Sequence, residues 1–242
     1  MSAIDTLKVK IFADGANLSD MKEMYANPLI KGFTTNPTLM RAAGIKDYQD
    51  FAKEVLEVIR DRPVSFEVFA DELDEMAAQA RRINSWGDNV FVKIPVTNTL
   101  GTYCGPIIKE LSEEGVHLNV TAVFTLDQVK RIAADLAADT AAIVSVFAGR
   151  IADSGIDPVP LMSEAARHLA GSRPKAELLW ASPRELLNIF HADYCGCGVI
   201  TVTNDLLKKL SLVGKDQDGY SLETVRMFYG DAQKAGYSIQ TS

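Results

Sequence analysis

Two kinds of hydrophobic pattern alternate along the chain. Short apolar runs rich in β-branched residues predict buried strands, and longer segments with apolar residues every three or four positions predict amphipathic helices. Eight strands are predicted, at residues 9–13, 30–34, 64–69, 90–94, 118–122, 142–146, 178–181 and 199–202. Eight β/α units in 242 residues predict an α/β protein, a single (β/α)8 TIM barrel, with a doubly wound open sheet as the competing architecture.

Helix-start signals follow several of the predicted strands. Thr125 and Gln128 have the spacing of a capping box, and Pro37 stands where a helix after the second strand would begin. Asn204 and Asp205 come directly after the eighth strand and predict an N-cap pair. These signals recur with the period that a barrel requires.

One domain is predicted over residues 1–242, because no linker or low-complexity stretch interrupts the chain. The barrel itself is expected to span residues 8–212. After a polar stretch at 214–219, apolar residues with helical spacing predict an extra C-terminal helix at 220–236. This helix would cover the barrel's own outside or pack on a neighbouring subunit of a homo-oligomer, and its pattern is compatible with both.

Lys93 interrupts the apolar run of the fourth predicted strand. A buried ammonium group loses its hydration, so a lysine in such a run is unfavourable unless the amine has a task. Loss of water favours the neutral form of a lysine, and a neutral amine attacks carbonyl carbons. Lys93 is therefore a Schiff-base candidate. Alternatively, its stem lies along apolar surface while its head reaches solvent at the strand end.

Polar residues at or just after the ends of other strands converge with Lys93 if Lys93 points inward. Alternate strand residues face a barrel's interior, and the carboxyl ends of the strands form its active site. The polar residues are Asp14, Asn36, Glu67, Asn119, Thr121 and Ser145, and Phe147 shares the face of Ser145 at the end of the sixth strand. Each residue alone is explicable as a cap, a turn or a core group, but their joint position favours a catalytic site around Lys93.

A separate set of residues indicates anion binding. Arg150 follows the sixth strand, and Ser182 and Arg184 follow the seventh. Guanidinium groups and helix N-termini suit phosphate oxygens, so a phosphate fits this edge of the barrel. The alternative is that these are surface arginines tied to nearby aspartates, such as Arg150 to Asp153.

Charge and cysteine content limit the kinds of partner. A net charge of -7 gives no support for nucleic-acid binding, and the lack of a leader or membrane-length apolar run predicts a cytoplasmic protein without a membrane partner. Cys104, Cys195 and Cys197 fit a reducing compartment better than a disulfide framework. The Cys195-Gly196-Cys197 turn has no second cluster to complete a metal site, and no nucleotide-binding glycine motif occurs. Neither metal nor cofactor is expected.

Six ordered motifs resemble those of the transaldolase family, a class I aldolase group with an (αβ)8 barrel and a Schiff-base lysine on the fourth strand. The resemblance extends over residues 9–210. The motifs are Asp14-Gly15-Ala16-Asn17, Thr34-Thr35-Asn36-Pro37-Thr38, Ser65-Phe66-Glu67-Val68, Val92-Lys93-Ile94-Pro95, Asn119-Val120-Thr121 and Ser145-Val146-Phe147-Ala148-Gly149-Arg150.

The resemblance implies a role for each predicted site residue. Lys93 would form the Schiff base, and Asp14 would be the acid/base that moves the hydroxyl proton during carbon–carbon cleavage. Glu67 and Thr121 would hold the water that relays protons to and from the imine. The substrate-binding set would be Asn36, Asn119 and Ser145 for donor hydroxyls, Phe147 beside them, and Arg150, Ser182 and Arg184 for the phosphate.

Two positions bear on the type of reaction that the resemblance implies. Compact family members similar to fructose 6-phosphate aldolase carry glutamine at the Glu67 position and tyrosine at the Phe147 position. The pair in this chain favours a transaldolase, which passes a dihydroxyacetone unit from a ketose phosphate to an aldose phosphate in the pentose phosphate pathway. The alternatives are an aldolase that releases free dihydroxyacetone or acts on an unusual ketose, and a non-catalytic barrel that binds a partner.

The chain departs from the family pattern at two rim segments. Residues 98–105 form a longer loop after the fourth strand than the family has, and this loop is expected to reshape the sugar pocket. Pro183 stands in the usual Ser-Phe-Arg motif and is expected to redirect Arg184. The phosphate role is therefore better supported for Arg150 than for Arg184.

Overall fold

A computed structural model describes residues 3–241 and contains a closed barrel of eight parallel strands. The strands follow chain order around the barrel, and the first pairs with the eighth from Lys10↔Val199 to Asp14↔Thr203. This pairing closes the sheet, so the TIM barrel is confirmed and the open sheet is wrong. The strands are β1 Lys10–Asp14, β2 Ile30–Thr34, β3 Val64–Glu67, β4 Val90–Pro95, β5 Leu118–Val123, β6 Ala142–Val146, β7 Ala176–Trp180 and β8 Val199–Thr203.

Helices connect the strands. Two 3₁₀ helices lie at Ala3–Thr6 and Lys208–Leu212. The α-helices are α1 Leu18–Ala26, α2 Pro37–Ala42, α3 Tyr48–Val58, α4 Leu73–Asn84, α5 Gly105–Glu113, α6 Leu126–Asp135, α7 Ala148–Asp153, α8 Val159–Ser172, α9 Leu187–Cys195, α10 Asn204–Leu207 and α11 Gln217–Ala235.

All eight predicted strands are confirmed, with shifts of a few residues at their ends. The largest shift at a carboxyl end is in β3, which stops at Glu67 although the apolar run continues. The N–H groups of Phe69 and Ala70 donate to the Gln79 side chain on α4, at 2.8 and 3.0 Å. The Val68 N–H still donates to the Lys93 carbonyl on β4 at 3.1 Å, and the bonds of Phe69 and Ala70 then lead the chain away from the barrel.

Two of the three predicted helix starts are confirmed. Thr125 and Gln128 form a complete capping box before α6, and Pro37 is the first residue of α2. The predicted N-cap pair after β8 is wrong, because α10 begins at Asn204 itself. The cap position belongs to Thr203, the last residue of β8, so strand and helix join without an intervening turn.

The barrel interior has an apolar layer toward the amino ends of the strands. Phe12, Ile143 and Val199 are buried together there, and Phe91 packs against them. A Cβ atom at Gly32 would approach the Phe12 ring to 2.5 Å, so the glycine makes room for that ring. This layer closes the barrel from below and leaves the carboxyl ends of the strands for polar side chains.

The chain divides into two compact units. One is the barrel, Leu7–Lys208, and the other comprises residues 3–6 and 209–241. In the second unit, Asp216 caps α11 by accepting the Gly219 N–H, and no α11 residue, all of which are described, is buried. The predicted C-terminal helix is confirmed, while the prediction of one domain over residues 1–242 stays a prediction.

Candidate active site

A cavity of about 470 Å³ opens among the carboxyl ends of the strands, and we refer to it as the Lys93 cavity. It brings together residues from all eight strands or the loops that follow them, and every predicted site residue lines it. These residues are Asp14, Asn36, Glu67, Lys93, Asn119, Thr121, Ser145, Phe147, Arg150, Ser182 and Arg184.

The Lys93 ammonium group lies between two acceptors inside the barrel. Its Nζ donates to the Thr35 backbone carbonyl at 2.9 Å and to Glu67 Oε2 at 3.0 Å. Glu67 is the direct neighbour of Lys93 in the parallel pairing of β3 with β4. The Lys93 side chain is only 9% exposed, so its head does not reach bulk solvent at the strand end.

A buried ion pair of this kind constrains both partners. Desolvation of two charges offsets much of their attraction, so the pair adds little net stability. Loss of one partner is unfavourable, by about 3–5 kcal/mol in fully buried pairs, because the other charge stays without compensation. Glu67 is 20% exposed, which reduces that figure for Lys93 and Glu67. The amine is consequently held in one place at the cavity floor.

Asp14 is the second carboxyl group of the Lys93 cavity. Its Oδ1 accepts from Thr34 Oγ1 at 2.8 Å, and its Oδ2 accepts from Asn36 Nδ2 at 3.5 Å. Burial raises the pKa of Asp14, while the Lys93 charge and the two hydrogen bonds oppose the rise and the Glu67 charge adds to it. A carboxyl group with a raised pKa exchanges protons closer to neutral pH, as an acid/base requires.

A chain of hydrogen bonds fixes the amide of Asn119. Asn119 Nδ2 donates to Ser65 Oγ at 3.0 Å, and Ser145 Oγ donates to Asn119 Oδ1 at 2.6 Å. All three residues are buried, so the chain links strands β3, β5 and β6 without water from outside. The polar edge of the cavity is therefore preorganised.

Strand β5 departs from simple alternation at its carboxyl end. Thr121 lines the cavity as predicted, but so does Ala122, which alternation assigns to the helix side. Ala122 has a φ of +57°, and the pairing of β5 with β6 is irregular between Val120 and Val123. This bulge turns two successive residues toward the cavity, as bulges beside active sites commonly do.

The two arginines of the predicted phosphate site have different environments. Arg184 Nε donates to both carboxylate oxygens of Asp153 at 3.0 Å. Arg150 instead lies 5.7 Å from the centre of the Phe147 ring. The hydrogen bond from Arg184 is the main cause that lowers the pKa of Asp153, and the Arg150 charge adds a smaller effect. The pairing of Arg150 with Asp153 is wrong, and Arg184 is the tied arginine.

The backbone beside these arginines is tightly packed. Ser182 has a φ of +56°, a strained conformation for a residue other than glycine. A Cβ atom at Gly149 would lie 1.5 Å from the Ser182 carbonyl oxygen, so only glycine fits there. The loops after β6 and β7 are thereby held together at the cavity rim.

Threonines missed by the sequence analysis complete the cavity wall. Thr34, Thr201 and Thr203 line it, and the Thr34 and Thr201 hydroxyls are hydrogen-bonded to each other. The alternation that places Asp14 inward also places Thr201 and Thr203 inward on the neighbouring strand β8. The signal was therefore present in the pattern of β8, where threonine alternates with valine.

The long loop after β4 is ordered by contacts outside the cavity. Thr97 and Tyr103 form an antiparallel bridge, the Thr99 backbone and side chain bond to Asp71, and Tyr103 donates to Asp135 at 2.7 Å. Among the described residues, those at 98–105 do not line the Lys93 cavity. The expectation that this loop reshapes the sugar pocket is not met within the cavity itself.

Within residues 3–241, no three His, Cys, Asp or Glu side chains come together in a metal-binding cluster.

Cys104, Cys195 and Cys197 are buried free thiols. Burial raises the pKa of each thiol, and it raises the pKa of Cys104 to about 11. Over the same described stretch, no helix combines the length and apolarity needed to span a membrane.

The raised pKa of Asp14 predicts a pH dependence of stability. The folded protein holds this proton more tightly than the unfolded chain, whose group titrates near 3.8. The protonated carboxyl therefore contributes stability that is fully present below pH 3.8 and is lost as pH rises through the raised pKa. The neutral Asp14→Asn should gain unfolding free energy relative to the wild type over that window, measured by urea unfolding. A difference that stays constant as pH rises would contradict this cause.

Comparisons with known proteins agree with this geometry. The chain matches the family described as Transaldolase/Fructose-6-phosphate aldolase over residues 11–241. A protein of Thermoplasma volcanium named "Probable transaldolase" is 38% identical over 87% of this chain and 92% of its own length. Another of that name, from Dehalococcoides mccartyi, is 35% identical over 84% of this chain and 90% of its own length.

Solved structures with low sequence identity share the fold alone. The dihydrodipicolinate synthase of Rhodopseudomonas palustris superimposes with a TM-score of 0.54 at 14% identity, over 93% of this chain and 79% of that one. The family match at residues 11–241 includes all the residues of the Lys93 cavity, and the two relatives match most of the chain. The chain therefore belongs to the transaldolase/fructose-6-phosphate aldolase family.

Proposed function

We propose that this chain is a transaldolase that transfers a dihydroxyacetone unit from a ketose phosphate to an aldose phosphate. The observation that carries the proposal is the position of Lys93 Nζ, buried at the floor of a polar cavity and bonded to Glu67 and the Thr35 carbonyl. Asp14, with its raised pKa, lines the same cavity. A nucleophilic amine and an acid/base in one cavity are the two groups that Schiff-base aldol chemistry needs.

In the proposed reaction the Lys93 ammonium group first gives a proton to its partner Glu67, and the neutral amine then attacks the ketone carbon of the donor. The carbinolamine loses its oxygen as water, and protons for this step pass between substrate and Glu67 through a water held with Thr121. Asp14 then takes the proton of the C4 hydroxyl. The C3–C4 bond breaks and an aldose phosphate departs. The electron pair of the broken bond stays with the three-carbon unit, which remains on Lys93 as an enamine of dihydroxyacetone.

The second half of the proposed reaction reverses these steps with another aldehyde. The enamine carbon attacks the acceptor carbonyl carbon, and Asp14 returns its proton to the new hydroxyl oxygen. Water then hydrolyses the imine and releases the new ketose phosphate with a free Lys93. No oxidation occurs, and the amine and both carboxyl groups return to their starting protonation states.

Glu67 and Phe147 support transfer of the dihydroxyacetone unit over its release, because both residues match those that transaldolases carry at these positions. Glu67 exchanges protons, which an amide at that position would not do. An aldolase that releases dihydroxyacetone remains the second candidate, because the matched family includes both activities in its description. The two are separated by the fate of the enamine.

We further propose sugar phosphates as substrates, a role in the pentose phosphate pathway, a cytoplasmic location and a homo-oligomeric state. Within residues 3–241 Arg150 forms no salt bridge, and its position at the cavity beside Phe147 supports the phosphate part of this proposal. Sedoheptulose 7-phosphate and fructose 6-phosphate are the expected donors. Erythrose 4-phosphate and glyceraldehyde 3-phosphate are the expected acceptors.

Reductive trapping tests the Schiff base. Borohydride added to enzyme and fructose 6-phosphate should attach the mass of a reduced three-carbon or six-carbon unit to the peptide with Lys93. Lys93→Met should abolish this adduct and lower activity by about three orders of magnitude or more, as loss of a nucleophile does. Lys10→Met is the control, since Lys10 is a half-exposed lysine paired with Glu177. An adduct on another residue, or none, contradicts the mechanism.

The same preparation distinguishes transfer from release. Free dihydroxyacetone should stay near background when fructose 6-phosphate is given alone, while addition of erythrose 4-phosphate should yield a seven-carbon ketose phosphate. Release of dihydroxyacetone at the full turnover rate without an acceptor would contradict the transaldolase proposal and favour the aldolase.

The two arginines should differ in their effect on substrate affinity. Arg150→Ala should raise KM for phosphorylated donors about 10- to 100-fold, the value of a lost charge-assisted hydrogen bond of about 1.5–3 kcal/mol, with little change in kcat. Arg184→Ala should raise KM less, because Asp153 already occupies that guanidinium group. Asp153→Asn should lower KM by releasing Arg184. A larger effect of Arg184→Ala than of Arg150→Ala would contradict these assignments.

A further inference from the structure

Tyr48, the first residue of α3, lies on the helix side of β3 and does not line the Lys93 cavity. Its ring packs among other aromatic rings, with centroid distances of 4.6 Å to Phe69, 5.6 Å to Trp86 and 6.1 Å to Phe66. Such packing fixes both the position and the tilt of the phenol. The hydroxyl group is thereby aimed at the end of β3.

The Tyr48 hydroxyl makes two hydrogen bonds to the backbone of one residue. It accepts the Glu67 N–H at 2.6 Å and donates to the Glu67 carbonyl at 3.1 Å. Burial raises the pKa of Tyr48 above its usual value, so the phenol keeps the proton that it donates. One side-chain oxygen thus satisfies both backbone groups of the residue whose carboxylate pairs with Lys93.

These two bonds replace the backbone hydrogen bonds that Glu67 would make to β2 in a regular parallel sheet. In the parallel pairing of β2 with β3, Phe33 N–H donates to the Pro63 carbonyl and Thr35 N–H donates to the Ser65 carbonyl. The regular pattern continues with the Glu67 N–H on the Thr35 carbonyl and then the N–H of residue 37 on the Glu67 carbonyl. Residue 37 is proline and has no N–H to give.

The chain also turns away at this point. Strand β2 ends at Thr34, and Asn36 caps α2 by accepting the Leu39 N–H at 2.9 Å. The Thr35 carbonyl is left without the Glu67 N–H, and it accepts the Lys93 ammonium group instead. An acceptor for the buried amine is therefore available because the hydroxyl of Tyr48 binds the competing donor.

We propose that Tyr48 is a positioning residue of this site: its hydroxyl replaces the missing backbone hydrogen bonds between Glu67 and β2, holds Glu67 beside Lys93, and frees the Thr35 carbonyl for the amine. The proposal rests on the proposed function, because it assigns Glu67 and Lys93 their parts in Schiff-base chemistry. Tyr48 touches neither substrate nor the reacting atoms. It acts through the backbone of Glu67 alone.

Loss of the Tyr48 hydroxyl should change the hydrogen bonding of the Lys93 amine. In Tyr48→Phe the Glu67 N–H is left without a hydrogen-bond acceptor. The nearest way to satisfy it is for the end of β3 to move toward β2, so that the Glu67 N–H donates to the Thr35 carbonyl. That movement removes an acceptor from the amine and moves the Glu67 carboxylate. Of the residues proposed to bind the sugar and its phosphate, only Asn36 adjoins this segment, and the others lie on or after β5, β6 and β7, so kcat should fall while KM changes little.

The kinetic test compares Tyr48→Phe with the wild type and with Tyr25→Phe. Tyr25 also donates a short hydrogen bond, 2.6 Å to Asp61, and does not line the cavity. We expect kcat for Tyr48→Phe to fall about 10- to 100-fold, the range for a buried group left unsatisfied, with KM within about threefold of the wild type. Tyr25→Phe should leave both constants within about twofold.

A matched pair of aromatic residues isolates hydrogen bonding from shape. Tyr48→4-aminophenylalanine keeps a donor and an acceptor, so kcat should recover to within about threefold of the wild type. Tyr48→4-methylphenylalanine fills the same space without either and should resemble Tyr48→Phe. If Tyr48→Phe does not fold, the amino variant carries the test, and a loss of more than about tenfold in its kcat would overturn the proposal.

A crystal structure of Tyr48→Phe separates this proposal from the proposed function. We expect the Glu67 N–H to lie within hydrogen-bonding distance of the Thr35 carbonyl, with Lys93 Nζ withdrawn from it. Unchanged positions of Glu67 and Lys93, or an unchanged kcat in the folded variant, would overturn the role of Tyr48. Absence of a borohydride adduct in the wild type would instead overturn the Schiff base and leave the result of the crystal structure intact.

Discussion

The need to satisfy one buried ammonium group organises the active end of this barrel. Lys93 loses its water inside the sheet, so two acceptors must be delivered to a single point by other strands. Glu67 comes from the adjacent strand β3, at the directly paired position. The Thr35 carbonyl comes from the end of β2, where the strand gives way to a helix and the Tyr48 hydroxyl binds the Glu67 N–H.

This constraint separates the barrel interior into two layers. Toward the amino ends of the strands, Phe12, Ile143 and their neighbours pack as an apolar layer that needs no polar partner. Toward the carboxyl ends, several polar side chains are hydrogen-bonded to one another, as Asn119 is to Ser65 and Ser145. The lower layer supplies stability, and the upper layer has the fixed electrostatics that the proposed proton transfer and imine formation would require.

Much of this arrangement is predictable from the sequence, because barrel closure and strand alternation are periodic properties. Alternation alone brings Glu67, Lys93 and Asn119 to one face. Features that break the period were not predicted: the bulge that turns Ala122 inward depends on a local φ of +57°, which nothing in the strand pattern signals. The contact of Tyr48 with Glu67 joins a helix start to a strand end, and no spacing rule relates them.

The ion pair at the rim of the Lys93 cavity could not be predicted from the sequence either. Both Arg150 and Arg184 have the character of phosphate ligands, but Asp153 is close in sequence to Arg150 and 31 residues away from Arg184. Only the fold determines that Arg184 is the arginine tied to Asp153, because the loops after β6 and β7 are pressed together at Gly149 and Ser182. Short-range sequence order favours the other pairing, which is wrong for this reason.

We propose that the buried Lys93 amine becomes covalently bonded to substrate while its two acceptors stay in place. A crystal structure of the enzyme trapped with a ketose phosphate would reveal that bond. We expect continuous density from Lys93 Nζ to the former ketone carbon, with Glu67 still beside the nitrogen and the phosphate at Arg150. A sugar bound without a covalent bond to Lys93, or seated outside the Lys93 cavity, would contradict it.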